Sequence, residues 1–124
     1  MKLSIIGNVP SLKNRKIISM NRATGRPFLR SAPAVKQWQA EAEEQLRKQF
    51  KGLKVADYPI SIAVSIYYGN LRRHDLDNSL ATIMDALVAA EIIEDDNINN
   101  VDSISISYGG YDKENPRAEI FLDD

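Results

Sequence analysis

Two stretches of the chain collect carboxylates of the kind that bind metal ions. Asp75 and Asp77 flank one residue just before an apolar segment with helical spacing, and Asp95 and Asp96 follow that segment. If the backbone is extended at 75–77, both side chains project from one face, and a folding-back of the chain would bring Asp96 to them. Hard oxygen ligands that leave room for water and phosphate oxygens are typical of Mg²⁺, with Mn²⁺ as a substitute.

This cluster suits the hydrolysis of a phosphodiester, which is anionic and resists attack by water. A bound Mg²⁺ neutralises charge, activates a water molecule and stabilises the leaving oxygen. Acids beside a helix N-terminus are also favourable for structural reasons alone, so the paired aspartates leave both interpretations open.

Other metal and phosphate motifs are absent from the sequence. A calcium loop starting at Asp75 would have Leu80 at its sixth position, where an EF-hand needs glycine. There is no GxxxxGK[ST] phosphate loop, and His74 is the only histidine, which excludes a multi-histidine zinc site.

The charge distribution divides the chain. Its formal net charge is −1, which taken alone argues against a nucleic-acid partner. Residues 1–54, however, hold 12 Lys and Arg against 3 acids, and residues 55–124 hold 4 against 14. A basic half that grips phosphates and an acidic half that collects a cation suit a nuclease. The alternative is that the two halves only attract one another on folding.

Hydrophobic periodicity predicts a single α+β domain over residues 1–124, with the order β-α-β-α-β-β and two helices packed on a mixed sheet of about four strands. The predicted strands are 2–7, 58–68, 101–108 and 117–122; the predicted helices are 34–50 and about 78–92, with Asp77 as the N-cap of the second. Between the first strand and the first helix, residues 11–33 read as a long basic loop that contacts DNA or is simply solvated.

Composition sets further limits. The chain has no cysteine, which excludes disulfides and thiolate metal sites and fits a cytoplasmic location. Its first apolar run has the length of a strand and no cleavage site, so we expect neither secretion nor membrane insertion.

The stretch from RRHDLDN through a helix containing MDAL to EDDNI and a strand resembles the RusA family of Holliday-junction resolvases. The resemblance covers residues 72–104 well, and VPSLKN and PFLRSAPAVKQWQAEA fit more loosely. It implies a homodimeric, Mg²⁺-dependent endonuclease that binds four-way DNA junctions in recombination and repair and makes paired nicks across them.

Carried over by position, the resemblance implies that Asp75, Asp77 and Asp96 are the metal-binding catalytic acids, with Asn78 and Asp95 in support. The predicted DNA contacts are Lys13, Asn14, Arg22, Arg26, Arg30, Arg72 and Arg73. The family usually has a lysine four residues after the second aspartate, whereas Ala81 stands there. This departure favours a second hypothesis, a junction-binding protein without turnover. A third is an unrelated α+β protein whose acids only cap a helix.

Overall fold

The computed structural model describes residues 1–10, 16–31, 33–51, 55 and 57–123, with the side chains of 16–18 and 28–31 outside the description. The strands are β1 (Lys2–Ile6), β2 (Lys16–Met20), β3 (Pro27–Ser31), β4 (Ile60–Tyr68), β5 (Val101–Tyr111) and β6 (Arg117–Asp123). The helices are α1 (Pro33–Gln49) and α2 (Leu76–Ala89). None of the helices in these ranges is long and apolar enough to cross a membrane.

Four strands form a mixed sheet in the order β1-β6-β4-β5, in which only β4 and β5 are parallel. The predicted alternation of β4 is confirmed, because every second residue from Ile60 to Tyr68 is buried. These side chains join the buried stripes of the two helices, which include Leu46 of α1 and Leu87 of α2, in one hydrophobic core. The predicted α+β class with two helices on a mixed four-stranded sheet is confirmed.

The β4-α2-β5 unit fixes which loops lie at which end of the sheet. Because β4 and β5 are parallel, α2 must return the chain to the end of the sheet where β4 begins. Val101 accordingly pairs with Ile60, and Tyr111 pairs with Tyr68. The β4–α2 loop therefore lies at one end of the sheet and the α2–β5 loop at the other.

The outer edge of β1 is covered by two glutamines of α1. The Gln49 amide accepts from Ser4 N at 2.8 Å and donates to Ser4 O at 2.6 Å. One turn earlier, Gln45 makes the same exchange with Ile6, at 2.8 and 3.4 Å. These side chains occupy the backbone groups that another strand would otherwise pair with. β5 is the other outer strand of the sheet.

Within the predicted long loop of residues 11–33, β2 and β3 form an antiparallel hairpin, so the interpretation of this segment as a loop without strands was wrong. The turn is built on Asn21, whose Oδ1 accepts from Ala23 N and Thr24 N, and Gly25 has φ 70°. The second helix also begins earlier than predicted, at Leu76, and ends at Ala89.

Candidate active site at the start of the second helix

The loop that joins β4 to α2 is held by a stack of polar and aromatic side chains. The imidazole of His74 lies on the buried ring of Tyr68, with centroids 3.8 Å apart. His74 Nε2 is 2.8 Å from Asn70 Oδ1, which also accepts from Arg72 N at 3.0 Å. These contacts give the loop a defined shape.

Tyr68 is the anchor of this loop. Its hydroxyl lies 2.8 Å from the buried hydroxyl of Ser79 in α2. Burial raises the pKa of Tyr68 above its ordinary value, the bond to Ser79 partly opposes that shift, and the negative charge of Asp75 adds to it. Tyr68 therefore remains a neutral phenol at physiological pH, and it is close enough to Asp75 to respond to its charge.

Asp75 is the N-cap of α2, with extended backbone angles of φ −102° and ψ 118°. Its carbonyl accepts from Ser79 N at 3.3 Å, but its carboxylate makes no capping bond. Asp77 lies in the first helical turn. The prediction of Asp77 as N-cap was therefore wrong by two residues, and the extended backbone expected over 75–77 holds at Asp75 alone. Both carboxylates are exposed at the positive end of the helix dipole.

Asp95 and Asp96 lie in the loop between α2 and β5, and they have different surroundings. The Asp95 carboxylate accepts from Asp96 N at 2.8 Å and from Asn97 Nδ2 at 3.4 Å. Asp95 thus shapes the loop, whereas the Asp96 side chain is exposed and has no partner among the described residues. Of the two acids, Asp96 is the one with oxygens available for a ligand.

Asp96 does not join Asp75 and Asp77 within one chain. Glu94 N donates to the hydroxyl of Tyr58, and Ile60 N donates to Asn100 O, so the Asp96 loop lies where β4 begins. Asp75 follows the opposite end of β4, and the 14 residues of α2 between the two loops span about 20 Å. The expected folding-back was therefore wrong. Consistently, no three acidic or histidine side chains in the described ranges form a metal-binding group.

A cavity of 330 Å³ lies beside Asp75, between its loop and the end of β5. Its lining combines Tyr68 and His74 with Leu71, Leu76 and Tyr108, together with Asn70 and Arg72. Sequence reasoning missed this cavity, and the available signal was the recurrence of aromatic and apolar residues on both sides of RRHD. The surface next to the two aspartates thus combines apolar and charged side chains.

A family model described as "Endodeoxyribonuclease RusA" matches residues 9–123, nearly the whole chain. The chain belongs to the RusA family. The resemblance predicted from residues 72–104 is confirmed, and the hypothesis of an unrelated α+β protein is excluded.

A curated relative, "Crossover junction endodeoxyribonuclease RusA" of Aquifex aeolicus (strain VF5), is 39% identical over 66 residues. That match covers 53% of this chain and 52% of the relative, so the chain spans about half the length of the protein it matches. The family is therefore established over residues 9–123, whereas the complete activity of this chain is a proposal.

The predicted basic contacts of this RusA-family chain fall into two groups. Arg72 and Arg73 are exposed in the loop that carries Asp75, and neither has an ion pair among the described residues. Arg22 and Arg26 are exposed at the tip of the β2–β3 hairpin. Arg30 lies in β3 with its side chain outside the description, and Lys13 and Asn14 lie outside the described residues.

Asn78 and Ala81 follow the two aspartates on α2. Asn78 is half-buried, and its carbonyl accepts from Thr82 Oγ1 at 3.2 Å. Ala81 is exposed one turn after Asp77, on the same face of the helix. A positive side chain at residue 81 would therefore stand next to Asp77, and alanine provides none.

The two aspartates at the start of α2 fit Mg²⁺. Their carboxylates are exposed and have no side-chain partner in the described ranges, so their oxygens are available. Mg²⁺ is commonly bound through one or two protein carboxylates, with water and substrate phosphates as the remaining ligands. Asp75 and Asp77 provide these two carboxylates, and Asp96 would be the third acid of the predicted set.

Proposed function

We propose that this chain is a Mg²⁺-dependent endonuclease that resolves four-way Holliday junctions by paired hydrolysis of DNA strands. One observation carries the proposal: in a RusA-family chain, two exposed carboxylates, Asp75 and Asp77, stand at the start of a helix in the same loop region as the exposed Arg72 and Arg73. Carboxylates for a cation and guanidinium groups for phosphate oxygens are the two components that phosphodiester hydrolysis needs.

In the mechanism, the residues of this chain have separate roles. Asp75 and Asp77 would hold Mg²⁺, which when bound would supply a polarised water and charge neutralisation. Arg72 and Arg73 donate hydrogen bonds to the phosphate oxygens, and the start of α2 contributes its positive dipole end. The stacked pair of His74 and Tyr68 keeps the loop in place, so the attacking and leaving atoms stay aligned during the reaction.

The third acid comes from a second copy of the chain. Asp96 and Asp75 lie at opposite ends of the β4-α2-β5 unit, so a two-fold dimer with antiparallel units would bring Asp96 of each chain to Asp75 and Asp77 of the other. A two-fold axis makes two such sites at once. Two equivalent sites facing one junction account for paired cuts.

The missing helix lysine supports a second candidate function, a junction-binding protein without turnover. With alanine at residue 81, the positive charge that the family's lysine would place near the scissile phosphate is missing. The absence of this charge would slow hydrolysis, while the other basic contacts with DNA would stay intact. Arg73 lies in the same loop as Asp75 and is a candidate among the described residues to replace that charge. Charge stabilisation depends on final position rather than on sequence origin.

Incubation of synthetic four-way junctions with Mg²⁺ tests the proposal. The parent protein should nick opposite strands in pairs, and Asp75→Asn should bind the junction while leaving it intact. Asp85→Asn, on the exposed side of α2 further from the first turn, is the matched acidic control and should cut like the parent. A parent protein that binds junctions with no cleavage would establish the binding-only function instead.

A further inference from the structure

Three aromatic rings line the cavity beside Asp75. Tyr68 and His74 are stacked, and the hydroxyl of Tyr68 is held by Ser79. The ring of Tyr108 in β5 lies 6.1 Å from that of Tyr68, at an interplanar angle of 31°. Tyr68 is buried, whereas Tyr108 is 55% exposed, so Tyr108 offers a ring that a ligand can reach. The cavity volume of 330 Å³ lies at the lower end of the range for small-ligand pockets, roughly 300–1,000 Å³.

Cationic side chains stand at the same cavity. Arg72 lines it and Arg73 follows directly; both are exposed, and neither has an ion pair in the part of the chain that the structure describes. An aromatic ring binds a nucleobase by stacking, and a guanidinium group binds a phosphate by charge-assisted hydrogen bonds. The rings and the arginines together therefore suit a nucleotide, whereas an apolar side chain of a protein would leave the arginines without a counter-charge.

The cavity adjoins the aspartates that would hold Mg²⁺. Asp75 lies between two lining residues, His74 and Leu76, so a nucleotide in the cavity would be next to the phosphate that is cut. A base inside a duplex is stacked on both sides and enters such a cavity only by leaving the helix. At a branch point the strands exchange helices, so opening a base pair costs less there than within a continuous stack. A junction therefore supplies the cavity with a base more readily than a duplex does.

We propose that the cavity binds one unpaired nucleobase from the branch point of the DNA, stacked on Tyr108, with the adjoining phosphate at Arg72. The inference rests on the proposed function for its substrate, and it adds how the protein distinguishes a junction from a duplex. Every base has a π-face, so stacking accepts any of the four bases. The site thus recognises the structure of the DNA rather than its sequence.

Binding to junctions that lack one base tests this contact directly. Affinity is measured in EDTA, so that no cleavage occurs, for an intact four-way junction and for junctions with an abasic nucleotide at each branch-point position in turn. Tyr108→Ala should weaken binding to the intact junction about tenfold or more, since the base loses its stacking partner. With the abasic nucleotide at one of these positions, Tyr108→Ala should cost little, because both changes remove the same interaction.

Matched variants separate stacking from other effects. Tyr108→Phe keeps the ring and should bind like the parent, whereas Tyr108→Leu keeps an apolar side chain without a ring and should bind as weakly as Tyr108→Ala. Phe121→Ala removes an exposed ring of β6 outside the cavity lining and should leave the affinity unchanged. A continuous duplex should bind Tyr108→Ala as it binds the parent, since its bases stay stacked. The melting temperature of each variant should stay close to that of the parent, because both side chains are exposed.

Three results would overturn the proposal: an equal loss of affinity for junction and duplex, a loss that persists at every abasic position, or parental binding by Tyr108→Leu. If Tyr108→Ala lowers the molecular mass of the protein in solution, the cavity packs against a second chain, and the proposal is likewise overturned. The binding assay does not depend on hydrolysis. A parent that never cuts would reject the nuclease and leave the base site intact, whereas a parent that cuts without coupling between Tyr108 and any base would reject the base site alone.

Discussion

The imidazole of His74 lies parallel to the ring of Tyr68, at an interplanar angle of 5° and a centroid separation of 3.8 Å. This stack fixes the residue directly before Asp75, so we assign His74 a positioning role. His74→Ala should lower kcat about 10- to 100-fold with little change in junction affinity, because small displacements of reacting groups are costly. His74→Phe keeps the stacked ring and should recover most of the parental kcat. If the imidazole instead acted as a base, both variants would have the same low kcat.

The shared site predicts complementation between inactive proteins. Asp75→Asn and Asp96→Asn should each abolish cleavage, yet a dimer with one chain of each kind has one intact site. Equal co-expression should restore about one quarter of the parental nicking rate, as single nicks rather than paired cuts. Junction-nicking gels with strand-specific labels read this directly. If each site were built within one chain, the mixture would stay inactive.

Phosphate binding by the loop arginines predicts a change in salt dependence. Arg72→Ala and Arg73→Ala should each weaken junction binding and reduce the slope of log K against log salt by about 0.9 for each phosphate that is no longer neutralised. Lys48→Ala, an exposed lysine at the far end of α1, is the control and should keep the parental slope. The measurement is junction affinity at several salt concentrations from low to moderate. An unchanged slope would show that these arginines do not contact DNA phosphates.

Ala81→Lys should increase cleavage by about tenfold or more, because it adds a positive charge one helical turn after Asp77. Ala40→Lys, on the exposed face of α1, should leave the rate unchanged. Single-turnover cleavage in Mg²⁺ separates this effect from tighter binding. A rate unaffected by Ala81→Lys would indicate that Arg73 or another basic residue already supplies the charge.

Gln49 protects the edge of β1, so its loss should cost stability. Gln49→Ala removes the two hydrogen bonds to Ser4 and should lower the free energy of unfolding by about 1 kcal/mol. Gln37→Ala loses only an exposed hydrogen bond to Glu41 and should change the free energy of unfolding by roughly a few tenths of a kcal/mol. Urea denaturation compares the two, and equal midpoints would argue against edge protection. Greater aggregation of Gln49→Ala is also expected, since the edge is then open.

Much of the fold was predictable because local pattern and burial agree. The period-two run that ends at Tyr68 predicted β4, and the spacing through Leu87 predicted α2, since each pattern fits only one secondary structure. The β2–β3 hairpin was missed because its strands are short and its turn depends on hydrogen bonds made by the Asn21 side chain. Such local polar bonds leave no hydrophobic period in the sequence.

The sequence by itself determined the family and the presence of acids on both sides of one helix, since both follow from residue identity and spacing. Only the tertiary structure decided where those acids lie. A parallel pairing of β4 with β5 separates Asp75 from Asp96 by the length of the helix between them, and this pairing depends on contacts distant in sequence. The same packing formed the cavity at Tyr68 and Tyr108, because residues from two strands and a loop meet only after the sheet is assembled.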